Sequence, residues 1–260
     1  MRGLLSILRS MRRRVAAALL LAAGVADAAV LIFGELHDQP DQQRQVADEV
    51  RRRAEAGTLA AVVLEMAERG RDTRTLRADA DETRVRDALG WRGWPWEPYA
   101  AIVMHAVRAG VPVIGGNLPR EAMREAMRDD TLDARVAPPV RDRLAQAVRD
   151  GHCGLLPHSQ EPGMVRIQIA RDLALAATVA EAHARAAPGQ DVLLLAGAQH
   201  ASRDRGVPLH LPADLPVQVV LFGTPAAGLQ GDDWRGYAPT PRPDPCDALR
   251  EQLRRRATTP

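Results

Sequence analysis

Five short, nearly continuous apolar runs constrain the fold of this 260-residue chain more than any other feature of its sequence. They are rich in Val, Leu and Ala and show little alternation between apolar and polar residues. Runs of this kind are typical of strands that are buried on both faces of a parallel sheet. Because helical stretches separate them, the sequence predicts an α/β protein with a mainly parallel sheet flanked by helices. The predicted strands are Ala29–Phe33, Leu59–Leu64, Val111–Ile114, Asp191–Ala196 and Val217–Phe222.

The connection between the third and fourth predicted strands is longer than a single crossover helix requires. We expect it to form a helical cap inserted over the sheet, at about 119–187. The α/β domain as a whole is predicted at 29–224, and a C-terminal tail rich in Gly and Pro at 225–260. The predicted cap helices are Arg120–Arg128, Ala137–Asp150 and Gly163–Ala186.

Residues 1–28 are predicted to be a secretory signal peptide. Three arginines at 12–14 precede the apolar run Val15–Val25, and Ala26–Ala28 fits a small-residue cleavage site. The alternative is an Ala-rich helix of the folded domain. Export predicts a periplasmic or other cell-envelope location. No cysteine lies near the cleavage site, so a lipid anchor is not expected.

Charge and cysteine content narrow the partners and the compartment. The 35 basic residues are all Arg, and with 33 acidic residues they give a net charge of only +2. A nucleic-acid-binding domain more often carries a basic patch or stripe, so no nucleic-acid partner is expected.

The spacing of Cys153 and Cys246 fits no zinc motif. They could form one disulfide in an oxidising compartment, or both could be buried free thiols.

Polar residues follow four of the predicted strands at the point where each strand ends. Glu35 and His37 follow the first strand, Glu65 the second, Asn117 the third and His200 the fourth. Because the carboxyl ends of parallel strands meet at one edge of a sheet, we expect these side chains to share a crevice. Two Glu and two His side chains could hold one divalent metal ion or work as a metal-free acid/base pair. The structural alternative is hydrogen-bonded strand-end residues, with Glu65 paired to an arginine.

Several sequence blocks resemble the ChaN-like haem-binding proteins, a family within the wider Tiki/TraB superfamily. They occur in the family's order over residues 29 to about 222. The resemblance implies an α/β core with a helical cap, and haem held between two protomers with a tyrosine as iron ligand. It also implies haem or iron uptake at the bacterial cell envelope, with an outer-membrane haem receptor as a partner. The main blocks are Gly34–Pro40, Trp96–Tyr99, Gly110–Arg120, Gly151–Pro157 and Ala196–Ala201.

The sequence departs from the family pattern at two points. Gln42 and Gln43 stand where the family usually has a histidine pair, which leaves a ligand or proton-relay role for that pair without support. The lipidated cysteine of many family members is also missing.

A haem site needs an axial ligand, an apolar slot and cations for the propionates. Tyr99 is the predicted iron ligand, because it lies in an aromatic patch with Trp91, Trp94 and Trp96. The structural alternatives are ordinary packing of this patch and, for Arg171 and Asp172, an exposed pair on a helix. The other candidates are His152, His158 and Tyr237 for the iron, and Asn117, Arg120, Arg166 and Arg171 for the propionates.

These observations lead to a primary hypothesis and two alternatives. The primary hypothesis is a haem-binding protein of the bacterial cell envelope that takes part in haem or iron acquisition. The first alternative is a metal-dependent hydrolase, of peptidase or esterase type, that uses Glu35, His37, Glu65 and His200. The second is an envelope protein that keeps these residues only for structure.

Overall fold

The computed structural model describes residues 29–225 and 228–258, so the predicted signal peptide at 1–28 lies outside the described residues. Within this part, six strands form one sheet in the order β3-β2-β4-β1-β5-β6, and every neighbouring pair is parallel. The predicted α/β class is therefore confirmed. The strands are β1 (Val30–Glu35), β2 (Leu59–Glu68), β3 (Val113–Asn117), β4 (Asp191–Gly197), β5 (Val217–Phe222) and β6 (Asp233–Arg235).

Helices cover both faces of this sheet. In β1, Leu31 and Phe33 belong to the apolar cluster that includes α1 and α3, whereas Val30 and Ile32 belong to a second cluster with α6. Successive strand residues point to opposite faces, so burial on both faces explains why the strands read as continuous apolar runs. The α-helices are α1 (Pro40–Glu55), α2 (Glu82–Leu89), α3 (Glu97–Arg108), α4 (Met123–Arg128), α5 (Pro138–Gly151), α6 (Glu161–His183), α7 (Ala198–Ala201) and α8 (Pro245–Thr258).

The connection from β3 to β4 carries α4, α5 and α6. Its outer part has a small apolar core of its own, in which Leu144 and Val148 of α5 pack with Val165 and Ile169 of α6. Farther along α6, Leu175 and Val179 pack on the sheet. We call the outer helices of this connection the cap. The helix α6 extends from the cap to the sheet.

Two strands extend beyond the apolar runs that predicted them, and both extensions place site residues. β1 continues to Glu35, which is thus the last residue of a central strand. β2 continues to Glu68, and its pairing with β3 shifts register between Leu64 and Glu68. Glu65 lies at this irregularity, and an irregular strand segment can re-aim a side chain toward a site.

The C-terminal tail adds two features to the fold. β6 joins the edge of the sheet through β5, and it was not predicted. Cys153 and Cys246 form a disulfide, which decides between the two alternatives left open by the sequence. Across the described residues, no helix combines the length and apolar character needed to cross a membrane.

Candidate functional site

The carboxyl ends of β1, β2, β3 and β4 bring polar side chains together, as the strand-end pattern predicts. At the end of β1, the Tyr99 hydroxyl donates a hydrogen bond of 2.7 Å to Glu35 Oε1. The Nδ1 atom of His37 lies 2.8 Å from the same oxygen, and the Gln43 amide donates to Glu35 Oε2 at 2.5 Å. Glu35 is fully buried, so these donors compensate the loss of water around its carboxylate.

Glu65 is the second buried carboxylate of the site. It accepts hydrogen bonds from Arg171 Nη2 at 2.5 Å and from the backbone N–H of Gly197 at 2.6 Å. Burial opposes the charge of Glu65, but His200, Arg171 and His37 outweigh it and lower the pKa of Glu65 to about 2. This carboxylate is therefore ionised at neutral pH.

Gly197, the last residue of β4, permits this close approach. A Cβ atom at this position would lie 2.8 Å from His37 Nε2 and 3.5 Å from Glu65 Oε2. A Cβ atom would therefore clash with the His37 ring while making an ordinary contact with Glu65, so the glycine at the strand exit leaves room for His37.

A buried His–Asp pair lies behind Glu65. His200 Nδ1 is 2.6 Å from Asp172 Oδ1, and His200 Nε2 is 3.7 Å from Glu65 Oε1. Burial disfavours the charged imidazole, but the carboxylates of Asp172 and Glu65 outweigh it and raise the pKa of His200. The pKa of His37 is raised as well, because the hydrogen bond to Glu35 and the charge of Glu65 outweigh the effect of burial.

A cavity of about 240 Å³ opens beside Glu65. Its wall includes Trp94, whose ring lies 4.6 Å from the His37 ring, and two exposed arginines, Arg92 and Arg120. The guanidinium groups of these two arginines make no hydrogen bond or ion pair with any residue that the structure describes. Asn117 also lines the cavity. Its amide donates a hydrogen bond to the Glu65 carbonyl, and its side-chain oxygen accepts one from Arg171 Nε, so it links Glu65 to α6. The cavity lining therefore combines an aromatic ring with two arginines that have no side-chain partner in the described part of the chain, and it also includes the carboxylate of Glu68.

Most of the residues predicted from the sequence thus lie in one polar network. The residues predicted for haem and those predicted for a hydrolase do not form separate sites, since both groups contribute to this network. Its members from the sequence prediction are Glu35, His37, Glu65, Tyr99, Asn117, Arg171 and His200.

Other predicted residues lie elsewhere. Arg120 is at the rim of the cavity, and Arg166 is bound to Asp133 in the cap. His158 is 96% exposed before α6, and its neighbour Glu161 precedes Arg171 by ten residues, about 15 Å along the helix. His152 caps α5, with Nδ1 2.7 Å from the Val148 carbonyl oxygen. Neither histidine joins the polar network.

The surroundings of Tyr99 bear on its predicted role as the iron ligand, which stays a prediction. The side chain is fully buried, and its hydroxyl is committed to Glu35. Burial and the negative charge of Glu35 raise the pKa of Tyr99, which opposes the tyrosinate form that binds iron. Three of the four clustered aromatics, Trp91, Trp96 and Tyr99, belong to the apolar core. Of the four, Tyr99 reaches the polar network through its hydroxyl, and Trp94, which is half-buried, lines the cavity.

The divalent-metal alternative is not supported. Among residues 29–225 and 228–258, no group of three or more His, Cys, Asp or Glu side chains is arranged to hold a metal ion. In place of such an arrangement, Glu65 is bound by Arg171 and a backbone N–H, and Glu35 by Tyr99, Gln43 and His37.

Three buried residues have hydrogen-bonding roles that the sequence did not predict. Asp172 is bound to His200, not part of an exposed helix pair. Gln43 binds Glu35, and Gln42 accepts a hydrogen bond from the backbone N–H of Leu36 at 2.7 Å. Spacing on α6 could have indicated Asp172, since it adjoins Arg171 in the apolar part of that helix.

This geometry defines the class: a parallel α/β protein with a buried Glu/His network at its strand ends and a helical insertion beside it. The model of the family described as haem-binding uptake, Tiki superfamily, ChaN matches residues 21–211. The chain belongs to this family.

Comparison with one solved structure agrees with this fold. A structure of ChaN from Campylobacter jejuni with cofacial haem binding is 21% identical, with a TM-score of 0.61, and the match covers 79% of this chain and 85% of that one. The type III effector HopBA1 is 16% identical, with a TM-score of 0.42, over 81% and 88% of the two chains. No curated protein matches.

Proposed function

We propose that this protein binds haem and takes part in haem or iron acquisition in the bacterial cell envelope. Membership of a family described as haem-binding is the observation that carries the proposal. The site adds three suitable features: a half-exposed histidine, an aromatic ring beside it and two unpaired arginines. An outer-membrane haem receptor as donor belongs to the same proposal.

The size of the cavity decides how haem could be held. Pockets that enclose a drug-sized ligand are typically about 300–1,000 Å³. The cavity beside Glu65, at about 240 Å³, is smaller and can accept a substituent but not a porphyrin. Leu36, which is exposed, and His37 and Trp94, which are half-buried, would then hold haem outside the cavity.

His37 is the most exposed histidine of the network and is our proposed iron ligand; it would bind iron as the neutral imidazole, which its raised pKa opposes. Its side chain is 31% exposed, and Nδ1 is held by Glu35, an arrangement that orients many ligating histidines. Its Nε2 atom is 3.7 Å from Glu65, which is beyond hydrogen-bond distance. Tyr99 then acts as a positioning residue for Glu35 and His37. When bound, haem would supply the iron centre.

Arg92 and Arg120 are suited to the propionates, because guanidinium groups pair well with carboxylates and neither has another partner among the described residues. Arg171, predicted for the same role, is already committed to Glu65 and Asn117. We therefore assign Arg171 to the network and Arg92 and Arg120 to the ligand.

A hemin titration followed at the Soret band tests this proposal. Wild type should give a saturable shift, and His37→Ala should lose it. Tyr99→Phe should bind with reduced affinity, whereas His158→Ala, whose side chain is 96% exposed, is the matched control and should bind like wild type. Absence of saturation in wild type rejects haem binding. Retention of the spectrum in His37→Ala with loss in Tyr99→Phe reassigns the ligand to Tyr99.

An open haem face predicts a second protomer, because one face of the porphyrin would otherwise contact water. We propose a homodimer around haem, and sedimentation velocity with and without hemin measures the oligomeric state.

Export is tested separately. The mature protein recovered from cells should begin at Ala29, and an intact residue 1 in the recovered protein would reject cleavage.

A metal-free hydrolase is the second candidate, favoured by the contact between His37 and Glu35. A histidine held by a carboxylate is a suitable general base for activating water. Turnover of chromogenic esters or peptides that disappears in His37→Ala would support it. Rates equal to those of His37→Ala would reject it.

A further inference from the structure

The segment 236–246, which we call the C-terminal strap, is bound along the loop that follows β1. Gln45 donates to the carbonyl of Gly236 at 2.9 Å, and Asp41 accepts from the backbone N–H of Ala238 at 2.8 Å. Gln39 is buried and bonds both backbone groups of Thr240, at 2.8 and 3.3 Å. Arg242 forms an ion pair with Asp38. Every second residue of the strap from 236 to 242 therefore contacts residues 38–45.

The far end of the strap is fixed to the cap. Cys246 forms a disulfide with Cys153, at the end of α5, across 93 residues of sequence. Three residues lie between Arg242 and Cys246, and these four steps along the chain span at most about 14 Å. The end of α5 is thus tethered through the strap to Asp38, the residue that follows His37.

The backbone at Cys153 supplies a second observation. Its φ is 58°, and it is the one non-glycine residue with positive φ in the described part of the chain. Residues other than Gly, Asn and Asp seldom adopt this conformation. Glycine would suit the turn better, so the cysteine at this position is explained by its bond to Cys246.

We propose that the Cys153–Cys246 disulfide is a redox-controlled clamp that holds the cap to the loop carrying His37 and that opens with a dithiol reductant. Both cysteines are half-buried, so a reductant can approach the bond. One thiolate of the reductant attacks a sulfur of the bond, and its second thiol resolves the mixed disulfide. The S–S bond breaks, a disulfide forms on the reductant, and Cys153 and Cys246 each gain one electron and one proton.

Opening the clamp leaves the strap attached by hydrogen bonds, by the Arg242–Asp38 ion pair and by Tyr237, which packs against the apolar core. The hydrogen bonds and the ion pair are weak individually and open locally. We therefore expect reduction to loosen residues 36–41 and 149–155 together, and by more than the sheet or α2.

Hydrogen exchange measured by mass spectrometry on the full chain tests the clamp. Oxidised protein is compared with protein held in dithiothreitol and with the Cys153→Ser/Cys246→Ser variant. Without the disulfide, we expect exchange at 36–41 and 149–155 to be accelerated about tenfold more than exchange in α2. Equal exchange in oxidised and reduced protein would overturn the proposal. Acceleration of α2 to the same degree would also overturn it, since the disulfide would then act only on the free energy of global unfolding.

The consequence for ligand binding rests on the proposed function. A hemin titration of the oxidised protein and of the double serine variant should show affinities that differ several-fold, since the loop carries His37. If neither form binds hemin, haem binding fails, and the exchange experiment still decides whether the clamp exists.

Discussion

Glu65 shows, at the scale of one residue, how burial and charge are balanced in this site. A buried carboxylate without partners would take up a proton. Here Arg171, His37, His200 and a backbone N–H surround it, and its pKa falls from 4.5 to about 2. Ionised Glu65 in turn favours the charged forms of both histidines. The network is thus mutually stabilising, and removal of one member exposes the others to the cost of burial.

This balance predicts how stability depends on pH. The folded-state pKa of Glu65 lies below its unfolded value, so its contribution is present above pH 4.5 and is lost as the pH falls toward 2. The shift corresponds to about 3 kcal/mol. Urea unfolding of wild type and Glu65→Gln should therefore give free energies that converge by about this amount between pH 6 and pH 2. Glu55→Gln, at an exposed position, is the matched control. A constant difference across this range would contradict the assignment.

At the scale of the elements, five of the six strands follow from the sequence because each is an apolar run buried on both faces. β6 could not be predicted, since a three-residue edge strand with charged ends is held by backbone pairing and carries no hydrophobic pattern. The strand-end rule found Glu35, Glu65 and His200. It could not find Asp172, because this residue lies on α6 and not at the end of a strand.

The central position of β1 predicts the effect of a small substitution there. A Cβ atom on Gly34 would lie 2.5 Å from Leu221 Cδ2 and 2.6 Å from Ala201 Cβ, so Gly34→Ala should cost about 1–3 kcal/mol through overpacking. Gly151→Ala is the control, because a Cβ atom there meets nothing within 4 Å and alanine favours the helix. Chemical unfolding should show a lower midpoint for the first variant and an equal or higher one for the second. A neutral Gly34→Ala would show that α7 can move away.

At the scale of the whole molecule, three parts of the chain that are distant in sequence meet near the carboxyl ends of the strands. They are the loop after β1, the helix α6 and the C-terminal strap. α6 connects the cap to the sheet and supplies Arg171 and Asp172 to the network. The strap returns from β6 along the loop after β1 and ends at the cap. The disulfide is the covalent closure of this arrangement, so its loss should affect the stability of the whole fold as well as the local motion of the loop.

A disulfide that joins residues 93 apart removes much of the conformational freedom of the unfolded chain. Cys153→Ser/Cys246→Ser should therefore lower the free energy of unfolding by about 2–4 kcal/mol relative to oxidised wild type. Urea denaturation at neutral pH measures the difference. Adding dithiothreitol should bring wild type to the stability of the variant and should leave the variant unchanged, which separates loss of the bond from the effect of the serine side chains. An oxidised wild type no more stable than the variant would mean that native-state strain at the left-handed Cys153 offsets the entropic gain.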